Sequence, residues 1–387
     1  MKILILNHNQ ERFGTYWRCY SLAEGLSKLG HQLIMVCASG KKFDLRVKKQ
    51  TVNENFVIYT LPRIKLFRYF TGQFVLRLPF YLYFVLFEKY DLLYAFTVAQ
   101  AQIGIPAMVG KIIRKKKLII DWDDLWGGGF ADLHFKPIRK VLAYSEVYFL
   151  RFADLVTCAS HKLFQKAVLI EDREKIFYLP NGCDLGRIKT LPIDKARKKL
   201  GFSAKDKIVL AMGNAYHLSV LDFLFSAYSL LIKRIPEVKI IFLSSLRISD
   251  ETKEKFKDVF KKAVFTGYVT DEQRDLYLSS ASVLVLPMDD NSIEEARSPI
   301  RFGDYLCAGR PIASNAVGEV KYYLEKYKAG LTCPPGSNTQ FAGIIQKALE
   351  DKKTAQKISR NARKLAETEL SEEKVVEKLN NLTGHLI

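Results

Sequence analysis

The chain has 387 residues, 48% of them hydrophobic and 26% charged, with 22 Gly and 12 Pro. That composition excludes disorder, collagen-like repeats and coiled coil as the main state, and the length favours two domains at roughly 100–200 residues each. Lys and Arg number 60 against 41 Asp and Glu, a net charge of +19, and positions 1–190 hold 29 basic but only 16 acidic groups, so most of the excess lies in the first half.

The opening MKILIL reads as a buried strand running into a polar loop, and it lacks the longer apolar core of a signal peptide. A helical pattern over 16–29 stops at Gly30 before the apolar run QLIMVCA. Further strands are expected at 56–61, 92–96, 117–121, 155–159 and 176–179. The polar, basic stretch that follows predicts a first domain over 1–185, a linker over 186–204 and a second domain over 205–370. The second half then starts as the first did, with DKIVLAMGN, a helical pattern over 220–234 and VKIIFLSS. Strands are expected at 263–266, 283–286 and 311–314, with a charged helical region over 354–381. Apolar strands alternating with amphipathic helices predict an α/β fold of two doubly wound parallel-sheet domains. Ligands in such sheets bind beyond the carboxyl ends of the strands, and the default site is the cleft between the domains.

Charge and cysteine narrow the partners. A basic surface attracts nucleic acid, anionic lipid or phosphorylated small molecules. Zinc-finger spacing, an RNP-type aromatic motif and basic heptads are all missing from the sequence, so nucleic acid is not expected. The six cysteines are scattered without a CxxC pair, which predicts a reducing, cytoplasmic setting without disulfides or a zinc site. No apolar run reaches the ~18 residues of a membrane span.

Four segments carry candidate chemistry. In 291–320, Ser298 is expected to cap a helix with Pro299 at its first position and Gly309 at its end. The helix terminus would favour a phosphate, with Arg297 and Arg301 four residues apart around it and Asp304 on the same face. The alternative is an exposed Arg301–Asp304 pair. A second cap is expected at Ser219, with Asp222 three residues on, after the Gly213–Asn214 loop. In IIDWDDLWGGGF at 119–130, Asp121, Asp123 and Asp124 crowd a strand end and call for a compensating cation, metal or partner. Metal binding through Asp121 and Asp123, helix capping and recognition of ligand hydroxyls remain open alternatives. Finally, the aromatic stretch 66–87, with Arg68 and Arg77, and the basic KIIRKKK at 111–117 read either as membrane-interface elements or as a buried helix and a solvated lysine run.

Several motifs in order resemble the family 4-like glycosyltransferases of the two-Rossmann-domain GT-B fold over nearly the whole chain. They are Gly14-Thr15-Tyr16-Trp17-Arg18, ADLVTCAS at 153–160, LPNGCD at 179–184, the strand-to-loop Gly213, FTGYV at 265–269 and DYLCAGRPI at 304–312. The resemblance implies retaining transfer of a hexose from a UDP- or GDP-sugar to a glycan or lipid-linked acceptor, without a metal. It implies a nucleotide site on the second domain and an acceptor site on the first, in a cytoplasmic enzyme peripheral to the inner face of the membrane, with the segment 371–387 packing back on the first domain. Asp304 aligns with the second acid of the family's E-x7-E pattern, which holds the ribose. Gly267 and Tyr268 would lie near the base, and Gly14, Gly213 and Asn214 near the donor. Ala296 stands where the first acid is expected, leaving Glu295 or Glu294 as substitutes, and Asp123 stands where the family has a His facing the donor sugar. No Lys or Arg occurs between Gly213 and Lys233, so Arg297, Ser298 and Arg301 are expected to take the diphosphate. The expected catalytic groups are Asp123, Glu295, Arg297 and Arg301. A nucleotide-sugar epimerase of the same fold and a non-catalytic membrane-associated binding subunit are the alternatives.

Overall fold

A computed structural model describes residues 1–64, 73–213, 218–246 and 248–386. The chain divides into two compact units: Met1–Asn181 with Ala296–Ser298 and Glu372–Ile387, and Gly182–Glu295 with Pro299–Ser371.

The first unit's strands are β1 (Lys2–Gln10), β2 (Gln32–Ala38), β3 (Phe43–Asp44), β4 (Lys48–Asn53), β5 (Phe56–Leu61), β6 (Arg63–Ile64), β7 (Leu92–Phe96), β8 (Lys117–Trp122), β9 (Leu155–Cys158) and β10 (Ile176–Tyr178). Eight of them form a sheet in the order β10-β9-β8-β7-β1-β2-β5-β4. Every pairing in it is parallel except that of the edge strand β4. In β1, Ile3 and Ile5 point into one buried cluster while Leu4 and Leu6 point into another. That period of two with both faces covered explains why the strand reads as a continuous apolar run. The helices are α1 (Tyr16–Lys28), α2 (Gln73–Phe87), α3 (Ala101–Ile112), α4 (Lys136–Leu150) and α5 (His161–Val168).

In the second unit, β11 (Ile208–Met212), β12 (Lys239–Leu243), β13 (Ala263–Phe265), β14 (Val283–Leu286), β15 (Ile312–Ser314) and β16 (Leu331–Thr332) make a fully parallel sheet in the order β13-β12-β11-β14-β15-β16. Its helices are α6 (Ile193–Lys199), α7 (Leu218–Arg234), α8 (Asp250–Lys255), α9 (Lys257–Lys262), α10 (Asp271–Ser280), α11 (Ser292–Ala296), α12 (Ile300–Ala308), α13 (Gly318–Lys326), α14 (Asn338–Glu350) and α15 (Lys352–Glu367); α16 (Glu372–Gly384) follows. The strand order reverses beside β1 in the first sheet and beside β11 in the second, as doubly wound folds require.

Several expectations change. The stretch expected as a linker is carried in the second unit, where the Lys189 amide donates to Asp275 Oδ2 (2.9 Å) and Arg197 Nε donates to the Ser280 carbonyl (3.0 Å). The helical region expected over 354–381 is two helices. They part where the Leu370 carbonyl accepts from the Cys183 amide (2.6 Å). Helix α16 counts with the first unit, and Val375, Val376 and Leu379 share a buried cluster with Leu22 and Leu26 of α1. The approach is close enough that a Cβ on Gly25 would lie 2.3 Å from Val376 Cγ2. Helix α7 starts at Leu218, so Ser219 stands within its first turn rather than ahead of it. Asp222 instead pairs with Lys255 at 3.0 Å.

The aromatic stretch is expected at 66–87; 66–72 lie outside the described residues. In α2, Arg77 lies inside rather than at the surface, while Tyr83 and Phe87 of the same helix are exposed. The Arg77 guanidinium is buried and donates to the His8 carbonyl (3.1 Å), and Tyr81 is buried and donates to the Asn7 carbonyl (2.6 Å). Among the described residues no helix is long and apolar enough to cross a membrane.

Candidate functional site

At the carboxyl edge of the first sheet, two of the three clustered aspartates, Asp121 and Asp123, take different roles. Asp121, one residue before the end of β8, is fully buried, and its compensating cation is Arg18 from the first turn of α1. Arg18 Nε donates to Oδ1 and Nη2 to Oδ2, each at 2.8 Å. The hydroxyls of Tyr94 (3.0 Å) and Thr157 (2.6 Å) complete Oδ2. Arg18 also donates to Asn181 Oδ1 (2.9 Å) and the Leu179 carbonyl (2.8 Å), tying the LPNGCD motif to this pair. The metal and ligand-hydroxyl readings of Asp121 therefore give way to a structural one, because both its oxygens are already engaged.

Asp123 is different. It is buried two residues later in the loop, accepting from Thr97 Oγ1 at 2.7 Å. Burial, and then the charge of Asp121, push its carboxyl above the usual carboxylate range. Thr97 holds it from a left-handed backbone conformation, φ +61°. That conformation is strained for a β-branched residue, and such strain clusters at functional sites. Nearby His8, at the end of β1, is buried; burial and then the Arg77 guanidinium push its imidazole down to about 3, so it is neutral, and its Nδ1 has no hydrogen-bond partner. The loop after Asp123 is fastened by Glu146 of α4, whose Oε1 accepts from Trp122 Nε1 (2.9 Å) and the Trp126 amide (2.8 Å), and whose Oε2 accepts from the Gly127 amide (2.8 Å). Gly14, φ +57°, lies just ahead of α1, where a Cβ would sit 2.6 Å from Asn9 Nδ2.

In the second unit, Gly213 leaves β11 at φ +135°, its amide donating to the Leu243 carbonyl (3.3 Å). Asn214 lies outside the described residues. Gly267, φ +70°, donates to the Ser244 carbonyl (3.1 Å) and has open space where a Cβ would project; Tyr268 beside it is exposed. Helix α12 runs to Gly309 in the left-handed conformation, as expected of its stop. Its N-cap, however, is Pro299, whose side chain offers the first turn no acceptor. The expected Ser298 cap is therefore corrected: Ser298 stands in the break between α11 and α12, its carbonyl accepting from Asn181 Nδ2 (2.6 Å). Arg297 shares that break and Arg301 sits in the first turn, both half-buried.

Asp304 does not form the alternative pair with Arg301. It meets Arg187 Nη2 at 3.8 Å with only 12% of its side chain exposed. Burial pushes its carboxyl above the usual range, against the pull of Arg187 and then Arg274. Arg187 is itself placed by Asp184 Oδ1, which accepts its amide (2.9 Å), and by Arg274 Nη2, which donates to its carbonyl (3.2 Å). Ala296 is fully buried, its carbonyl accepting from Ser160 Oγ; Glu294 is buried and Glu295 half-buried on α11. The sequence reading missed Thr97, Glu146 and Arg187, since none belongs to a local motif. It also missed Gly318 at the start of α13, φ +51°, where a Cβ would lie 2.1 Å from the Glu295 carbonyl oxygen.

Residues 14–187 match the model of Glycosyltransferase Family 4 and residues 192–365 that of Glycosyl transferases group 1. The chain belongs to the family 4, group 1 glycosyltransferases. No curated protein sequence matches it. Its fold is that of solved GT-B glycosyltransferases. Sucrose-phosphate synthase from Thermosynechococcus elongatus superposes with a TM-score of 0.77 at 19% identity, covering 100% of this chain and 98% of that one. Anabaena HepE, in complex with UDP and glucose, gives 0.73 at 18%, covering all of both chains. WaaG, involved in lipopolysaccharide biosynthesis, gives 0.68 at 16%, covering 98% of this chain and 99% of its own. At these identities the likeness speaks for the fold.

Proposed function

We propose that this glycosyltransferase moves a hexose, with retention at the anomeric carbon, from a UDP- or GDP-sugar to a hydroxyl of a glycan or lipid-linked acceptor at a membrane surface. In that reaction the bond from the sugar to the diphosphate breaks, a bond to the acceptor oxygen forms, and the acceptor proton leaves. The observation carrying the reading is the start of α12. Its N-cap, Pro299, offers the first-turn amides no side-chain acceptor, and Arg301 within that turn and Arg297 just ahead of it add positive charge. Those groups would stabilise the charge that grows on the departing nucleoside diphosphate, more in the transition state than in the ground state, and no metal is needed for that role. Gly213 and Gly267, with exposed Tyr268, would border the nucleoside, and Asp304 would accept from the ribose hydroxyls. Asp123, held by Thr97, would accept from a sugar hydroxyl. HepE, solved with UDP and UDP-glucose, supports this class of donor.

Calorimetric titration with UDP, GDP, ADP and their sugars tests it. One uridine or guanosine diphosphate should bind, and Arg301→Ala should weaken it by about 2 kcal/mol, roughly 30-fold, the worth of a charge-assisted hydrogen bond. Unchanged affinity in that variant would place the diphosphate elsewhere. Turnover of a bound donor to a free, epimerised nucleotide sugar would favour the epimerase instead.

A further inference from the structure

Helix α4 has two sides that differ in kind. Its inner side is satisfied: Ser145, Glu146, Phe149 and Leu150 are buried, and Phe149 packs so tightly on α3 that a Cβ on Gly104 would lie 2.2 Å from its ring. Its outer side carries Val141, Tyr144 and Tyr148, which are 58%, 67% and 37% exposed, and the approach to the helix adds Leu133 and Phe135, 61% and 60% exposed. The spacing 137, 140/141, 144, 148, 151 keeps Pro137, Lys140, Val141, Tyr144, Tyr148 and Arg151 on one stripe. A soluble helix normally turns charged residues, not a run of this kind, toward water.

The cations on this stripe are as telling as the apolar groups. Lys136, Lys140 and Arg151 are exposed among the rings. The carboxylates of the segment are elsewhere engaged: Asp132 faces Arg139 at 3.7 Å, and Glu146 is buried on the inner side, holding Trp126 and Gly127. Tyr144 and Tyr148 stack with centroids 5.5 Å apart. Apolar and tyrosyl groups interleaved with lysine and arginine suit a bilayer surface, where rings enter the headgroup region and cations meet lipid phosphate. His134, stacked on Trp126 at 6.5 Å, joins this surface to the loop that carries Asp123.

We propose that the outer face of α4, with Leu133 and Phe135, docks on an anionic lipid bilayer. The placement deepens the membrane-acceptor reading above and rests on it only for why a bilayer would be visited. Lipid docking there would bring a lipid-linked acceptor to the carboxyl edge of the first sheet. The surface is a different one from the two segments that the sequence pointed to, α2 and the 111–117 run; in those, Arg77 and Tyr81 are buried and Lys111 is held by Asp154 at 2.6 Å, while Tyr83, Phe87, Ile112 and Ile113 are exposed.

The test is flotation of the full-length protein with vesicles of phosphatidylcholine alone and of phosphatidylcholine mixed with phosphatidylglycerol, in low and high salt, without nucleotide. The wild type should float with the mixed vesicles, and less so in high salt. Lys136→Gln with Lys140→Gln should lower partitioning about 30-fold, at about fivefold per cation near an anionic surface. Val141→Asp with Tyr144→Asp should lower it at least as far. Lys352→Gln with Lys353→Gln, a control on α15, should change it less than about twofold, the effect of two distant surface charges under screening. All the substituted side chains are exposed, so a melting curve like that of the wild type verifies each variant. No flotation of the wild type, equal loss in the control pair, or flotation indifferent to the α4 changes would each overturn the proposal. So would a wild-type dimer that Val141→Asp splits, which would make the face an interface between copies. Nucleotide titration on the same samples separates these outcomes from failure of the transferase reading.

Discussion

Asp121→Asn is the sharpest probe of how the first unit is held together. Four donors converge on the Asp121 carboxylate: two from the Arg18 guanidinium at 2.8 Å, and the Tyr94 and Thr157 hydroxyls at 3.0 and 2.6 Å. Asparagine offers one oxygen. Whichever way its amide turns, its NH2 group meets a donor already in place, and the buried Arg18 charge loses its counter-ion while keeping only neutral acceptors at Asn181 and Leu179. Removing one partner of such a pair costs about 3–5 kcal/mol. For a unit of this size, that is a fall of roughly 10 °C in melting temperature. A two-unit chain need not unfold in one step, so the change is best read by hydrogen exchange resolved by strand. Amides of β7, β8 and β9 should lose protection, while those of β11 and β14 keep theirs and nucleotide affinity is unchanged. A loss below about 1 kcal/mol would refute the claim that this pair anchors the unit. Lost transfer with undiminished protection would return Asp121 to the ligand-recognition role that the sequence allowed.

Three further expectations follow from the same geometry. Asp123 has a folded-state pKa raised above its unfolded value, so its ionised form costs stability that appears as pH rises above about 4 and grows until the folded pKa is passed; Asp123→Asn should therefore raise the first unit's midpoint at pH 7, with the gain vanishing toward pH 4, yet abolish transfer, and a lowered midpoint at neutral pH would refute it. Gly318→Ala must fit a methyl carbon that would lie 2.1 Å from the Glu295 carbonyl oxygen at φ +51°, and should cost the second unit at least about 2 kcal/mol in a denaturant titration; a midpoint equal to the wild type would show that α11 yields freely. Arg187→Ala removes the cation that holds the Asp304 carboxyl down, so the acidic limb of donor binding should move to higher pH; an unmoved limb would separate Asp304 from the donor.

Most of the fold was legible because both sheets are buried on two faces, which writes their strands as apolar runs such as KILIL and KIIFL. The strands that escaped are those without that burden. The edge strand β4, KKQTVN, has every residue half-buried or exposed, and its polar sequence is what keeps an edge from pairing with another chain; β3, β6 and β16 are two residues each. The candidate site was legible only where local chemistry marked it. Gly309 stops α12 because a left-handed end needs glycine, and the sequence says so. The Arg18–Asp121 pair joins residues 103 positions apart, and Arg187–Asp304 joins residues 117 apart, so no spacing rule could find either. Ser298 read as a cap because its type and the following proline fit one. Asn181 instead fixes the chain there by holding the Ser298 carbonyl.

Packing also bears on a departure from the family pattern. Ala296, where the resemblance expects the first acid, is fully buried in the first unit's apolar cluster with Trp122 and Leu125, and its carbonyl accepts from the Ser160 hydroxyl that also caps α5. A carboxylate on that Cβ would enter an apolar cluster, at a cost of several kcal/mol unless a cation met it there. Restoring the family residue by a single substitution would thus remove stability before it could add catalysis. Glu294 and Glu295, the acids left on α11, cannot simply shift along the helix either, because the Glu295 backbone is pressed against Gly318 of α13. The change to alanine is therefore built into the packing around α11. On the proposed reading, the work of the missing acid would fall to groups already in place: the half-buried Glu295, Arg297 and Arg301, or Asp304 beside Arg187.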